Sequence, residues 1–319
     1  MPVASRTLRC PEPIDVALTF GGLTRGRFDP ASHLDGDTFW HAMNSPAGPV
    51  TFRVRARRAE ATVTVDAWGP GRSWVVEHAP GISGVADTGH DFRPTHALVA
   101  ALHRRVRGMR LVRIGCVLDV AVPTIIEQRV TSLEAGRSWR AMVRRHGTVA
   151  PGTEHTPALV VPPAATVLAR LPDWEWRHLG VEGRRSETVR RIAGDCDRID
   201  RAAAVDAVTL DHRLRAVDGV GPWTAAHVTH LVSGDADAVP VGDWHLPSHV
   251  AFALAREARA DDARMLELLE PFRPHRARVW RLIVAGTHGP PRRAPRARIH
   301  DLMRAEMRRP HSGRRPRPR

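Results

Sequence analysis

The sequence predicts an α+β protein, with an N-terminal antiparallel β-sheet lobe carrying helices and an all-α domain after it. Three observations predict this. Apolar residues alternate along several runs in the first third, as on strands with one buried face. From about residue 114 the apolar spacing changes to three and four, as on helices. Strands followed by consecutive helices, rather than alternating with them, indicate an α+β architecture. The boundaries read as 11–112 for the lobe, 113–290 for the helical domain and 291–319 for a basic tail.

The elements follow in order. Ile14, Val16, Leu18 and Phe20 alternate before Gly21-Gly22 breaks the run. Val50, Phe52, Val54 and Ala56 alternate, as do Ala61, Val63, Val65 and Ala67. Trp74 and Val76 begin a similar run. The stretch HALVAALHRRV (96–106) has helical spacing instead. Segment 115–129 is apolar on most of its surface and reads as a core helix. Segment 132–146 gathers Ala135, Trp139, Met142 and Val143 on one face. Segment 148–162 contains Pro and Gly and reads as a loop. Further helices are expected near 164–171, 184–194, 207–217, 222–232, 248–258, 262–270 and 275–285. Trp139 and Trp174 are assigned to the core.

Composition excludes several chemistries. The 319 residues carry 48 basic side chains, and every one is Arg. Coding bias accounts for this across the chain, but the consequence is chemical. Without Lys there is no side-chain Schiff base, which excludes aldolase-type, pyridoxal-type and Lys-dependent lyase reactions. A P-loop and a protein-kinase site would each lack their Lys. Phosphate contacts must come from Arg, the better bidentate donor. No run approaches the length of a membrane span, and the N-terminus lacks a signal-peptide pattern. Cys10, Cys116 and Cys196 are far apart and odd in number, which points to a reducing compartment and against a four-Cys metal site. The net charge of +14 is uneven. Residues 292–319 hold 11 Arg against Asp301 and Glu306, a net of +9, which leaves +5 for the rest. That tail reads as disordered at its end. It is either a solubilising extension or a salt-sensitive arm for polyanions.

The most informative stretch is 214–250. Leu210, Leu214 and Val217 mark one helix face, and Ala225, Val228, Leu231 and Val232 mark a second. Between them lies Asp218-Gly219-Val220-Gly221, with Pro222 where a first helical position tolerates a missing N–H. A tight turn at a helix N-terminus aims free N–H groups outward, which suits a phosphate. An ordinary αα-hairpin in a core gives the same spacing. Twenty residues after Trp223 comes Asp243, directly after Gly242. A carboxylate there can cap the next helix, whose dipole favours the anion. Such a group suits a charge stabiliser or base better than a proton donor.

VDGVGPWTA (217–225) resembles the hairpin of the helix-hairpin-helix–GPD superfamily of DNA glycosylases. Trp223-Thr224-Ala225, with Asp243 in VPVGDWHL, is similar to the DNA-3-methyladenine glycosylase II (AlkA-type) branch. TIIEQRVTSLEA (124–135) resembles the family's helix junction, and LGVEGRRSETVRRIA (179–193) its next helix pair. RGRFDP (25–30), GDTFWHA (36–42) and GPVT (48–51) resemble its β lobe. The resemblance covers about residues 12–288. It implies a helix-hairpin-helix glycosylase domain over 113–290 and a monofunctional enzyme. That enzyme would flip alkylated purines, of the 3-methyladenine and 7-methylguanine type, out of double-stranded DNA and hydrolyse the N-glycosidic bond.

Under that reading Asp243 is catalytic, and Trp223, His227, Trp244 and Trp280 form the base pocket. An alkylated purine is cationic, and cation–π attraction to Trp is worth roughly 0.5–2 kcal/mol. Gly219, Val220, Gly221 and Thr224 contact DNA, with Gln128 and Arg129. Gln128 either reaches the minor groove or makes a helix-junction hydrogen bond. Arg129 stands where some relatives place an apolar wedge. Asp218 departs from the family's Pro, and would either repel a phosphate or help a cation bridge hairpin and phosphate. Strand-nicking relatives carry Lys where this chain has Trp223. No cofactor is expected. His245 and His249 are four apart, but Pro247 interrupts them and no third metal ligand is evident. The implied protein is a monomer, cytoplasmic and nucleoid-associated. Two alternatives stay open: a glycosylase for a different lesion, and a non-catalytic DNA-binding hairpin protein. Asp243 discriminates the second, since a pure binder needs no carboxylate beside the sugar.

Overall fold

The computed structural model describes residues 3–291 except 11 and 154. The basic tail from 292 lies outside the described residues. The strands among the described residues are β1 (Ala4–Arg9), β2 (Ser32–Asp35), β3 (Thr38–Ser45), β4 (Gly48–Arg57), β5 (Thr62–Trp68), β6 (Thr148–Val149) and β7 (Val160–Val161). The early helices are α1 (Val16–Phe20), α2 (Arg72–Glu77), α3 (Ala79–Ile82) and α4 (Ala97–Arg105). Then come α5 (Val117–Ile126), α6 (Ser132–His146), α7 (Ala165–Arg170), α8 (Asp173–His178), α9 (Gly183–Gly194) and α10 (Cys196–Val205). The last are α11 (Ala207–Arg215), α12 (Pro222–Ser233), α13 (Leu246–Ala255), α14 (Asp262–Leu269) and α15 (Arg276–Gly286). None of the described helices is long and apolar enough to cross a membrane.

The sheet is antiparallel in the order β1-β5-β4-β3-β2, with Ala4 opposite Ala67 and Val54 opposite both Phe39 and Val65. Its inner face supplies Phe39, Phe52, Val54 and Val65 to a core shared with Ile125, Trp139, Val189, Leu210 and Val228. The outer face carries a stacked Trp40–Trp68 pair 5.3 Å apart, with the Arg53 guanidinium 4.9 Å from the Trp40 ring centre.

Several sequence expectations are corrected. Residues 16–20 form a helix rather than a strand. Asp15 caps it, its carboxylate accepting from the Leu18 N–H at 2.9 Å. The buried positions are Val16, Thr19 and Phe20, a helical set hidden inside the apparent alternation. Trp74 and Val76 lie in α2, where Val75 between them is the fully buried residue. The sheet also takes in β1, upstream of residue 11. The supposed loop 148–162 pairs its ends as β6 and β7. Trp174 is 60% exposed and belongs to no core.

Two junctions position the site. The helix expected over 115–129 ends at Ile126. There the buried Arg185 donates to the Ile126 carbonyl at 2.7 Å, so Glu127, Gln128 and Arg129 form a turn. The next helix starts with a reciprocal cap. The Thr131 hydroxyl accepts from the Glu134 N–H, and the Glu134 carboxylate accepts from the Thr131 N–H at 2.9 Å. A second core joins distant parts of the chain. Phe92, Val99, Leu102 and Met109 pack with Leu246, Val250, Met265, Leu269, Phe272, Val279, Leu282 and Ile283. The helix at 97–105 therefore packs with the last helices. A buried ion pair of Asp87 with Arg278, at 2.6 Å, fixes the same junction.

Candidate active site

The hairpin is built by α11, Val217–Gly221 and α12. Gly219 has φ +93°, and a β-carbon there would lie 1.9 Å from the Thr188 hydroxyl oxygen. Only Gly fits. Gly221 differs: its φ is −92° and a β-carbon would meet nothing within 4 Å. Its openness leaves the backbone accessible at the start of α12, whose first turn has no side-chain cap. Val220 and Thr224 bury their side chains, so toward the surface they offer only backbone.

Gln128 holds this hairpin from below. Its amide nitrogen donates to the Gly219 carbonyl at 3.1 Å and to the Thr224 hydroxyl at 2.8 Å. These are the hydrogen bonds that the helix-junction reading expects. Arg129 is exposed and sits at φ +57°, projecting from the turn that follows α5. Asp218 does not stand free. Its carboxylate pairs with Arg191 at 2.9 Å, and the same guanidinium nitrogen donates to the Asp218 carbonyl at 3.4 Å. The positive group nearest that carboxylate is thus an arginine of α9.

Asp243 lies in the loop before α13, against the first turn of α12. One carboxylate oxygen accepts from the His245 and Leu246 N–H groups, both at 2.8 Å, and so caps α13. The other accepts from the Trp223 indole N–H at 3.0 Å. Gly242, at φ +96°, turns the chain into this position, and its N–H donates to both Asp262 oxygens at 3.0 and 3.1 Å. Partial burial opposes ionisation of Asp243. The Trp223, His245 and Leu246 donors outweigh it and hold the carboxyl below its ordinary range. Asp243 is therefore an anion at neutral pH, with a fixed direction.

The Trp223 ring meets His227 edge-on with centroids 4.6 Å apart, and Trp280 lies 6.2 Å beyond His227. Trp280 is held by its indole N–H donating to the Ala238 carbonyl at 3.0 Å. Burial, with the charge of Arg25 acting in the same direction against Asp243, pushes the His227 pKa down to about 4. His227 is thus neutral at pH 7, and its buried Nε2 has no hydrogen-bond partner. Trp244 does not join this aromatic group. It is 89% exposed. His249 bonds the Thr287 hydroxyl at 3.0 Å, and no group of three metal-ligating side chains occurs among the described residues.

Sequence reading missed two residues here, Asp262 and Arg191. Each acts across more than one element, and no local spacing announces it.

The fold has known counterparts among solved structures. A 3-methyladenine DNA-glycosylase from Archaeoglobus fulgidus superposes with a TM-score of 0.72 at 15% identity, over 88% of this chain and 97% of that one. An 8-oxoguanine glycosylase/lyase from Clostridium acetobutylicum, in complex with double-stranded DNA, gives 0.64 at 12% identity, over 89% and 96%. The fold is therefore the mixed α/β architecture of these DNA glycosylases. No family model matches the chain, and no curated protein matches its sequence significantly.

Proposed function

We propose that this chain is a monofunctional DNA N-glycosylase that excises alkylated purines of the 3-methyladenine and 7-methylguanine type. The observation that carries the reading is Asp243: an ionised carboxylate, aimed by the Trp223 indole and two backbone N–H groups, beside the start of the hairpin's second helix. A base inside a duplex is out of reach, so it must be flipped out first. Breaking its C1′–N bond places oxocarbenium-like charge on the sugar, and a pre-aimed carboxylate lowers that barrier. A purine alkylated at N3 or N7 is already cationic and leaves without a proton donor. Trp223 and Trp280 offer faces that attract such a ring. The hairpin backbone around Gly221 would take a DNA phosphate, and Arg129 would fill the gap in the stack. Because the chain has no Lys, excision would stop at the abasic site. The same proposal has the protein acting as a monomer on double-stranded DNA in the cytoplasm, beside the nucleoid.

Methylated duplex DNA, treated with the protein and then with hot alkali, tests this on a gel. Strand cleavage only after alkali is expected. Asp243→Asn should lower excision by on the order of 10²–10³ while keeping DNA affinity. Binding without any alkali-dependent cleavage would leave a non-catalytic hairpin protein instead.

A further inference from the structure

α9 reaches the hairpin through two residues one turn apart. Thr188 lies against Gly219, and Arg191 holds Asp218. Asp218 and Gly219 are the central residues of a turn closed by the Val220 N–H, which donates to the Val217 carbonyl at 3.0 Å. Asp218 stands at the corner of that turn with its side chain 72% exposed. One Arg191 nitrogen meets the Asp218 carboxylate at 2.9 Å and its carbonyl at 3.4 Å. Another lies 3.5 Å from Glu187 of the same helix. The next carbonyl, that of Gly219, is taken by Gln128. The guanidinium is thus fixed to the side chain and the backbone of the hairpin at once, before any ligand arrives.

Asp218 is three residues from Gly221, where the phosphate of the proposed duplex would bind. Three Cα steps span at most about 11 Å. That is close to the Debye length of about 10 Å at 0.1 M salt, so a bare carboxylate at the corner would repel the phosphate. We infer that Arg191 is a positioning residue for duplex binding: it cancels the Asp218 charge and lets the hairpin backbone take a phosphate. This rests on the duplex-binding part of the reading above and deepens it. Removing Arg191 exposes the anion, whereas removing both charges leaves a neutral corner. Asp243, which would meet the sugar, belongs to another loop, so the pair acts on binding rather than on the excision step.

The test pairs single-turnover excision from a duplex carrying 7-methylguanine with anisotropy measurements of affinity for an undamaged duplex of the same sequence. At low salt Arg191→Gln should weaken duplex binding about 10-fold and raise the half-saturating concentration alike, with the maximal rate kept. Adding Asp218→Asn to it should return affinity to within about 3-fold of native, and Asp218→Asn alone should not weaken binding. The loss in Arg191→Gln should shrink as salt rises, because screening shortens the reach of the exposed carboxylate. Native affinity in Arg191→Gln would overturn the inference. So would a double variant as weak as Arg191→Gln, since the arginine would then be touching DNA itself or propping the turn. Native protein that binds duplex with the expected pattern but excises nothing would refute the glycosylase reading and leave the inference standing. Native protein that binds no duplex would refute both.

Discussion

Gly219 and Gly221 flank the same valine, yet alanine at the two positions should have opposite effects. At Gly219 the backbone sits at φ +93°, and the new β-carbon would lie 1.9 Å from the Thr188 hydroxyl oxygen and 3.0 Å from its β-carbon. The backbone conformation alone costs about 1–3 kcal/mol for a residue with a side chain. Forcing a methyl into filled space adds about 1–3 kcal/mol. Thr188 cannot yield freely, because it is fully buried and its hydroxyl donates to the Arg184 carbonyl at 2.9 Å. Gly219→Ala should therefore lose about 2–6 kcal/mol in urea unfolding. Adding Thr188→Ala should recover the steric part, leaving only the backbone cost. At Gly221 neither effect exists, so Gly221→Ala should unfold within about 0.5 kcal/mol of the native protein. Its methyl nevertheless stands where a phosphate would approach, so duplex affinity should fall while stability does not. Native-like stability of Gly219→Ala, or no recovery in the double variant, would refute this account of the turn.

Trp223→Phe keeps the ring but removes a donor from Asp243, whose carboxyl is held low partly by that bond. Burial then opposes ionisation with less resistance, and the acid limb of the excision–pH profile should move to higher pH; an unmoved limb would show that the indole does not tune the carboxylate. His41 and Asp119 form a buried pair 2.6 Å apart that ties β3 to α5. Burial favours neutral His41, but Asp119 outweighs it and raises the imidazole above its ordinary value. This stabilisation is fully present below pH about 6.5 and is lost as pH rises through the folded value. The stability gap between native protein and His41→Gln, measured in urea, should accordingly narrow on alkaline titration, and a gap independent of pH would count against a charged His41.

How much was legible depended on how each element is buried. β4 and β5 show in the sequence because their apolar residues alternate with polar ones. β3 does not, because residues 39–43 are buried on both faces, the inner against Phe20 and Phe52 and the outer against Trp68. β1 and β2 are edge strands with mostly exposed side chains and carry no pattern. The hairpin and its aspartate were legible because both rest on local rules: a turn, a Pro at a helix start, a cap. Trp174 was misread for the converse reason, since residue type favours burial but only the tertiary packing grants it.

The second core has a consequence for how the protein is made. α4 presents Val99 and Leu102, but their partners on α13 and beyond begin at Leu246. The ribosome delivers α4 first and its partners roughly 140 residues later, a wait of about 7–30 s at ordinary rates of synthesis. During that interval the sheet lobe can condense on α5, while the apolar face of α4 stays open to water or to a chaperone. The Asp87–Arg278 pair can close only when α15 arrives. Biosynthesis thus completes the half of the site that carries Asp243 and Trp280 last, and a stalled chain would expose an adhesive patch before it had gained any chemistry.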